Sequence, residues 1–361
     1  MVAEPLTRAP SDAEAADPRP RPARPPRLRL LDEAEMADVL AGFRELLPVS
    51  GAVEPGLRAV LIDLVEHPGS LARAQIVFGL LRDCDPLLDD PDDRDARALR
   101  LAVAVESFHT ASLVFDDLPA MDDARERRGR PCSHVAHGEA SAMLGALALI
   151  TRAYGLLWEV LAPLPAERRA AAGELVSTCL GAEGILDGQA RDLRFGSVAG
   201  ERRAEEVLRV ARGKTVPLVR LAVVLPALVG GAGGEALGLL ERLASAWGLA
   251  YQVLDDFKDV LMSREETGKS TARDGLLGRP NLPSAVGPEA AMDRLGRLLA
   301  ESGGALEALA ATGFPCSRLD RLQGFLAAEA DRVWRRLASE RPPGRAFAPA
   351  SSERNERAVR A

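Results

Sequence analysis

The sequence predicts an all-α protein. Leu, Ala, Val, Arg and Glu dominate its 361 residues and only 4% are aromatic, a composition that favours helices over sheets. Apolar residues recur at helical spacing in long segments, which short Gly, Pro or Asp signals separate. No alternating apolar and polar pattern of useful length indicates a strand. Apolar residues make up 47% of the chain, which is enough for a hydrophobic core.

The helical segments follow one another through most of the chain. They are predicted at 34–48, 54–66, 70–82, 95–116, 139–162, 166–187, 204–212, 215–229, 234–262, 289–302 and 318–338. The most apolar of them, VPLVRLAVVLPALVGG, is interrupted by Arg220 and Pro226. Because it is shorter than the roughly 20 apolar residues of a membrane span, it is predicted to be a core helix, and no membrane span is expected.

One domain is predicted between two tails. Residues 1–30 and 341–361 are rich in Pro, Arg and Ala without helical or strand periodicity, which predicts a disordered arm and a disordered tail. The folded domain is then expected over 31–340.

Charge and cysteine content limit the protein's partners and compartment. The net charge of −7 argues against nucleic-acid binding, which usually requires a basic face. The four cysteines are widely spaced without a CxxC motif, and no apolar leader is visible near the start. This pattern predicts reduced thiols in a cytoplasmic protein.

Two aspartate-rich segments carry the strongest chemical signal. DDLPAMDD, residues 116–123, follows an apolar helix, and YQVLDDFKDV, residues 251–260, lies within one. Asp255 and Asp259 are four apart and share a helix face. Asp116 and Asp122 are six apart, so they converge only if the chain turns, as Pro119 between them allows.

Facing each other, the two segments would form an oxygen-only site for hard cations. Mg²⁺ prefers a few carboxylates together with substrate phosphates. Four cationic side chains follow or separate the two segments, namely Arg127, Arg128, Lys214 and Lys269. The combination predicts a clamp for a diphosphate.

At this level of detail the motifs resemble a known family. ESFHTASLVFDDLPAMDDARERRGRP is similar to the first aspartate-rich region of trans-isoprenyl diphosphate synthases, the polyprenyl synthetase family. YQVLDDFKDV followed by TGKSTARDG is similar to the second region. GQARDL at 188–193 and GKTVPL at 213–218 match further elements, and the resemblance covers residues 35–335.

The resemblance implies an isoprenoid synthase barrel of helices around a central cavity, usually in a homodimer. Three Mg²⁺ ions would bridge Asp116, Asp122 and Asp255 to the diphosphate of an allylic substrate. Asp117, Asp256 and Asp259 would act behind these ligands or through water. Arg127, Lys214 and Lys269 would hold diphosphate oxygens, and Thr215 and Gln252 would stabilise the allylic cation. The reaction implied is condensation with isopentenyl diphosphate, as in a geranylgeranyl diphosphate synthase.

The second substrate's site departs from the family pattern. Arg73, His109 and Arg128 match residues that hold isopentenyl diphosphate, but Ser70 stands where the family has lysine. Two alternatives therefore stay open. One is terpene-synthase-like ionisation and cyclisation of one allylic diphosphate, and the other is a non-catalytic regulatory subunit.

Product length is predicted from side-chain size. Ala111 and Ser112, one helical turn before Asp116, are small, and Phe108 one turn deeper is a candidate floor. Small residues at that depth predict a C20 product.

Overall fold

The computed structural model describes residues 28–47, 49–84, 91–197, 203–261 and 279–339. The predicted arm up to residue 27, the predicted tail from residue 341 and the TGKSTARDG segment with Lys269 lie outside these residues. The described chain starts with Leu28 and Leu30, which are buried in the core, and Leu30 N–H donates to Gln75 Oε1.

Helices make up 80% of the described chain, and strands almost none of it, which confirms the all-α prediction. In the described residues they are α1 Glu33–Leu46, α2 Pro55–Glu66, α3 Ala72–Cys84, α4 Pro91–Asp116, α5 Ser133–His137, α6 Glu139–Leu161, α7 Ala166–Leu180, α8 Ile185–Arg194, α9 Arg203–Lys214, α10 Val216–Val229, α11 Gly234–Leu261, α12 Leu282–Val286, α13 Pro288–Ala311 and α14 Ser317–Ser339. Two short antiparallel strands, β1 Glu126–Arg127 and β2 Arg130–Pro131, form a hairpin that periodicity did not reveal.

The prediction of one helix over 166–187 was wrong. Helix α7 ends at Leu180, and α8 begins at Ile185 in a new direction. A Cβ on Gly181 would lie 2.4 Å from the Ser177 carbonyl oxygen, and one on Gly184 would lie 2.3 Å from the Thr178 carbonyl oxygen. Only glycine permits the chain to fold back so closely on the end of α7.

The long helices α4 and α11 form the centre of the fold. Helix α4 packs against α1, α3, α6 and α10, and α11 packs against α10, α13 and α14. Helix α10 is buried along most of its length, as its apolar sequence predicts. The aspartate-rich motifs lie at the C-terminal ends of the two central helices, since α4 ends at Asp116 and α11 carries Asp255 to Asp259 near its end.

By length and composition alone, two described helices could cross a membrane: α4 over Asp93–Asp116, and α6. Of the most apolar window, 61% is buried inside the protein in α4 and 39% in α6. Core helices of other proteins pass the same test, so this is weak evidence for a span. The absence of a membrane span therefore stays a prediction.

A pair of glycines lets α8 and α9 touch backbone to backbone. A Cβ on Gly188 would lie 2.1 Å from both the carbonyl carbon of Gly213 and the amide nitrogen of Lys214. A Cβ on Gly213 would in turn lie 2.6 Å from Gly188 Cα. The glycines of GQARDL and GKTVPL therefore set the distance between the two helices, and with it the position of Lys214.

We predict that Gly188→Ala lowers the free energy of unfolding by about 3 kcal/mol, because the added methyl must push two backbones apart. Urea denaturation measures the change. The matched control is Gly173→Ala in the middle of α7, where a Cβ meets nothing within 4 Å. That substitution should stabilise the helix by up to about 1 kcal/mol. Equal effects of the two substitutions would contradict the packing argument.

Candidate active site

A cavity of about 870 Å³ lies among the helices and contains both aspartate motifs. Its charged and polar lining includes Arg73, His109, Asp116, Asp122, Arg127, Arg128, Lys214, Thr215, Gln252, Asp255, Asp256, Asp259 and Arg279. The structure thus brings together most of the side chains that the sequence singled out. Asp117 and Ala111 are buried and do not line the cavity, whereas Ser112 does.

The first motif turns back on the end of α4. The helix stops at Asp116, and the N–H of Asp122 donates to the Asp116 carbonyl oxygen at 2.9 Å. Asp123 closes the turn with a φ of 47°, a left-handed conformation that Asp tolerates better than most residues. The turn places the Asp116 and Asp122 carboxylates on one cavity, although they are six residues apart.

Asp117 serves a different purpose from Asp116. Its buried carboxylate accepts three hydrogen bonds of 2.7–3.0 Å from Nε and NH2 of Arg127. Burial opposes the charge of Arg127, but the hydrogen bond and charge of Asp117, together with the charge of Asp116, outweigh burial and raise the pKa of this guanidinium. Arg127 lines the cavity, so Asp117 fixes a cation at the site.

The RRG sequence forms the tip of the hairpin. Arg128 and Gly129, the two residues between the strands, have φ of 57° and 74°. Positive φ at both central positions is the requirement of a two-residue hairpin turn. The turn sends Arg128 towards α3, where its NH1 donates to the Pro68 carbonyl oxygen at 3.3 Å.

In the second motif Asp256 is held by the protein. Its buried carboxylate accepts from Gln252 Nε2 at 2.8 Å and from Leu282 N–H at 2.8 Å, which ties α11 to α12. The Thr215 hydroxyl donates to Gln252 Oε1 at 2.6 Å. Thr215, Gln252 and Asp256 therefore form one hydrogen-bonded chain along the cavity wall.

Two cations and a further carboxylate join the acidic groups. Lys214 Nζ lies 2.7 Å from Asp192 Oδ2 and 3.8 Å from Asp116 Oδ2. Arg279 NH2 lies 2.6 Å from Asp122 Oδ1 and donates to the Met121 carbonyl oxygen. Asp192 belongs to GQARDL, but the sequence did not identify it as a site residue because its partner is 22 residues away.

Charged groups in this part of the cavity have shifted pKa values. The pKa of Asp116 is raised to about 6: burial is the largest cause, the charges of Lys214 and Arg127 lower it, and those of Asp122 and Asp192 raise it. Burial lowers the pKa of Lys214, but Asp116, Asp192 and Asp122 raise it by more, so the net shift is upward.

A second cationic region lies across the cavity. It contains Arg73, Arg128 and His109, and both Arg73 Nε and His109 Nδ1 are buried without a hydrogen-bond partner. Burial and the charges of Arg73 and Arg128 hold the pKa of His109 well below its usual range. Ser70, in the family's lysine position, is exposed and lines the cavity.

The deeper wall of the cavity is apolar. Ser112, Phe108 and Ile150 contribute to it, and so does Tyr154 of α6, which the sequence had not suggested. The Phe108 and Tyr154 rings meet edge to face, with centroids 5.0 Å apart. Residues 108 and 154 are far apart in the sequence, so this ring pair becomes visible only where α4 packs on α6.

No group of three or more His, Cys, Asp or Glu side chains in the described residues converges closely enough to hold a metal ion alone. Metal binding at the carboxylates would therefore need ligands from a bound substrate or water. A Mg²⁺ ion shared with substrate phosphates has this character.

Fold and site together define an α-helical enzyme that works on anionic, partly apolar substrates. The family model "Polyprenyl synthetase" matches residues 54–303. A geranylgeranyl diphosphate synthase of Pantoea ananas is 35% identical over 272 residues, which is 73% of this chain and 83% of that protein. The farnesyl diphosphate synthase of Escherichia coli K12 is 37% identical over 62% of this chain and 75% of its own length.

A solved structure agrees with these matches. The geranyltransferase of Helicobacter pylori, in complex with magnesium and isoprenyl diphosphate, superposes with a TM-score of 0.68 at 25% identity. The match covers 84% of this chain and 96% of that one. The chain belongs to the polyprenyl synthetase family, and it is a prenyltransferase that elongates prenyl chains.

The shifted pKa of Asp116 predicts how stability depends on pH in the metal-free protein. A carboxyl whose folded pKa is about 6 and whose unfolded pKa is 3.8 binds its proton more tightly when folded, so stability falls as pH rises from about 4 to 6. Asp116→Asn lacks this loss. Above pH 6 it should be more stable than the wild type by about 2–3 kcal/mol, and near pH 4 the two should converge.

Urea denaturation in EDTA between pH 4.5 and 8 measures this difference. Asp293→Asn, on the exposed side of α13, is the control for removing a carboxylate outside the cavity. A stability difference between Asp116→Asn and the wild type that is constant across the pH range would contradict the raised pKa of Asp116.

Proposed function

We propose that the enzyme condenses isopentenyl diphosphate with an allylic prenyl diphosphate, with geranylgeranyl diphosphate as its main product. The observation that carries the proposal is the lining of the cavity of about 870 Å³. It combines three kinds of surface: carboxylates of both aspartate motifs, the guanidiniums of Arg73 and Arg128, and apolar side chains that include Phe108 and Ile150. These three surfaces match an allylic diphosphate held through metal ions, a second diphosphate held directly, and a growing hydrocarbon tail.

For the allylic diphosphate, we propose that Asp116, Asp122 and Asp255 bind Mg²⁺, with three ions per site. All the donors are carboxylate oxygens, which suit this hard cation, and the Mg²⁺-bound relative supports the choice. When bound, the metal neutralises the diphosphate and makes it a better leaving group. Lys214, Arg127 and Arg279 are placed to bind the remaining diphosphate oxygens, and Lys269 is proposed to do the same from outside the described residues. Asp259 lines the same wall and would act through water.

Loss of diphosphate leaves an allylic cation, which the cavity must protect from water. Thr215 and Gln252 line the cavity, and Thr215 donates its only hydroxyl proton to Gln252. The lone pairs of Thr215 Oγ1 are therefore available to a neighbouring positive charge. We propose that this oxygen stabilises the cation until the double bond of isopentenyl diphosphate attacks.

For isopentenyl diphosphate, we propose that Arg73, His109 and Arg128 form the binding site. Arg73 and His109 each keep a buried ring or guanidinium nitrogen without a partner, which suits them to an incoming anion. The low pKa of His109 leaves it neutral, so the two arginines supply the charge. Ser70 offers a hydroxyl in place of a lysine, which weakens the site without removing it.

A homodimer is proposed as the working state. The α6 helix presents an exposed apolar face that includes Met143, Leu147 and Trp158, the last 68% exposed. An exposed apolar face on one helix is typical of a protein interface, and sedimentation equilibrium would test for the homodimer. A cytoplasmic location is proposed because none of the four cysteines, all in the described part of the chain, forms a disulfide.

Product analysis by mass spectrometry tests the proposed reaction. Dimethylallyl, geranyl and farnesyl diphosphates are each incubated with Mg²⁺, with and without isopentenyl diphosphate. Longer prenyl diphosphates are expected only when both substrates are present. Asp116→Ala and Asp255→Ala should each lower turnover by at least about 100-fold, because each removes a proposed ligand of the Mg²⁺ that would neutralise the leaving group.

Asp293→Ala, which lies away from the cavity, is the control and should keep wild-type turnover. A hydrocarbon or alcohol formed from the allylic substrate alone would replace the proposal with terpene-synthase chemistry. Absence of any product from the folded protein would favour a regulatory subunit.

Product length depends on the apolar wall. The relatives named above make C15 and C20 products by their names, so family membership does not set the length. Ser112 lies on the cavity one turn below Asp116, whereas Ala111 points elsewhere. We predict that Ser112→Phe shortens the main product to C15, because an aromatic ring fills the path towards Phe108.

Ala111→Ser is the control on the same turn and should leave product length unchanged. Tyr154→Ala should lengthen the product by at least one isoprene unit, because it removes one of the two packed rings on the cavity wall. Unchanged products in both Ser112→Phe and Tyr154→Ala would show that the wall is elsewhere.

A further inference from the structure

Glu106 is a buried acid that the proposed chemistry does not use. It lies on α4, three residues before His109, and is only 2% exposed. It does not line the cavity, so it cannot touch a substrate there. A carboxylate buried this deeply is costly unless the surrounding structure makes use of it.

The Glu106 side chain caps a helix that belongs to a distant part of the sequence. Its Oε2 accepts the Ala74 N–H at 2.9 Å, and the Arg73 N–H also hydrogen-bonds to the carboxylate. Both groups lie in the first turn of α3, where backbone N–H groups lack partners within the helix. The preceding residue, Leu71, has no side-chain acceptor and has a φ of 51°. Glu106 therefore does what a local capping residue would normally do.

The loop before α3 is held in place at two further points. Gln75 Nε2 donates to the Ser70 carbonyl oxygen at 2.9 Å, and Arg128 NH1 donates to the Pro68 carbonyl oxygen. A Cβ on Gly69 would lie 1.8 Å from Arg128 NH1, so the guanidinium rests directly on the glycine backbone. The same short loop thus positions Ser70 and supports Arg128.

The charges of Arg73 and Arg128 act on the Glu106 carboxylate. Burial raises its pKa, and the charges of Arg73 and Arg128 together with the two backbone N–H groups oppose that rise. Burial and the charges of Arg127 and Arg73 lower the pKa of Arg128, and the charge of Glu106 opposes this. The buried carboxylate thus offsets part of the repulsion among these cations.

We propose that Glu106 is the positioning residue of the isopentenyl diphosphate site: it caps α3 and holds Arg73 and Arg128 together without contacting the substrate. The inference rests on the function proposed above. It predicts a selective defect, because the allylic site depends on the aspartates and on α8, α9 and α11 and not on the start of α3.

The test compares Glu106→Gln and Glu106→Ala with a matched control, Glu35→Gln. Glu35 is also a buried carboxylate that accepts a backbone N–H, from Asp32, and faces two arginines, Arg82 and Arg318, but it lies away from the cavity. Steady-state kinetics give KM for isopentenyl diphosphate, KM for farnesyl diphosphate and kcat. Calorimetric titration of the metal-free protein with isopentenyl diphosphate gives affinity without turnover.

We expect Glu106→Gln to raise KM and Kd for isopentenyl diphosphate about tenfold, and Glu106→Ala to raise them further, with KM for farnesyl diphosphate changed less than about twofold. Glu35→Gln should lose comparable thermal stability and leave both KM values unchanged. If Glu106→Ala does not fold, Glu106→Gln decides the question.

Unchanged or tighter binding of isopentenyl diphosphate by folded Glu106→Gln would overturn the inference, as would equal increases in both KM values. Failure of the wild-type protein to condense the two substrates would instead overturn the proposed function itself. The two failures are thus told apart by the wild-type reaction.

Discussion

Repulsion among carboxylates at the ends of two central helices is the constraint on which the site depends. Asp116 ends α4, and Asp255 and Asp259 lie in the last turns of α11. The C-terminal end of a helix already carries partial negative charge, so these acids lie where a helix tolerates them least. Burial is the largest cause of the raised pKa of Asp116, which is about 6, and the charges of Asp122 and Asp192 add to the rise. Lys214, which lies next to the backbone contact of Gly188 with Gly213, lowers this pKa, and Arg279 pairs with Asp122.

In each pair of adjacent aspartates the two carboxylates have different surroundings, and the difference is the same in both pairs. The first member, Asp116 or Asp255, lines the cavity and is partly exposed, while the second, Asp117 or Asp256, is buried and hydrogen-bonded to the protein, although Asp256 also lines the cavity. Adjacent residues on a helix point about 100° apart, so two consecutive aspartates have different surroundings. The second acid is used to fix the surroundings: Asp117 holds Arg127, and Asp256 joins α11 to α12.

The sequence predicted what depends on local spacing. Helical periodicity identified α4, α10 and α11, and the spacing of four identified Asp255 with Asp259. Spacing did not separate Ala111 from Ser112, because both lie about one turn before Asp116, and the structure shows that only Ser112 lines the cavity. Contacts between segments that are distant in sequence produce no periodic pattern. Lys214 and Asp192 are 22 residues apart, and Glu106 and Ala74 are 32 apart, so no helical or strand spacing predicts either pair. The break at Gly181–Gly184 was missed because apolar periodicity continues through it.

The two proposed substrate sites differ in the groups that would hold a diphosphate. The aspartates would hold one diphosphate through divalent cations. Arg73 and Arg128, whose charges act on the buried Glu106, would hold the other without metal. His109 adds no charge there, because burial and the arginines keep it neutral. With Ser70 in place of a lysine, the attraction depends on two cations alone, which makes their exact placement matter more than it would beside a third. With fewer charges, binding depends more on the positions of the two guanidiniums, and the first turn of α3 sets the position of Arg73.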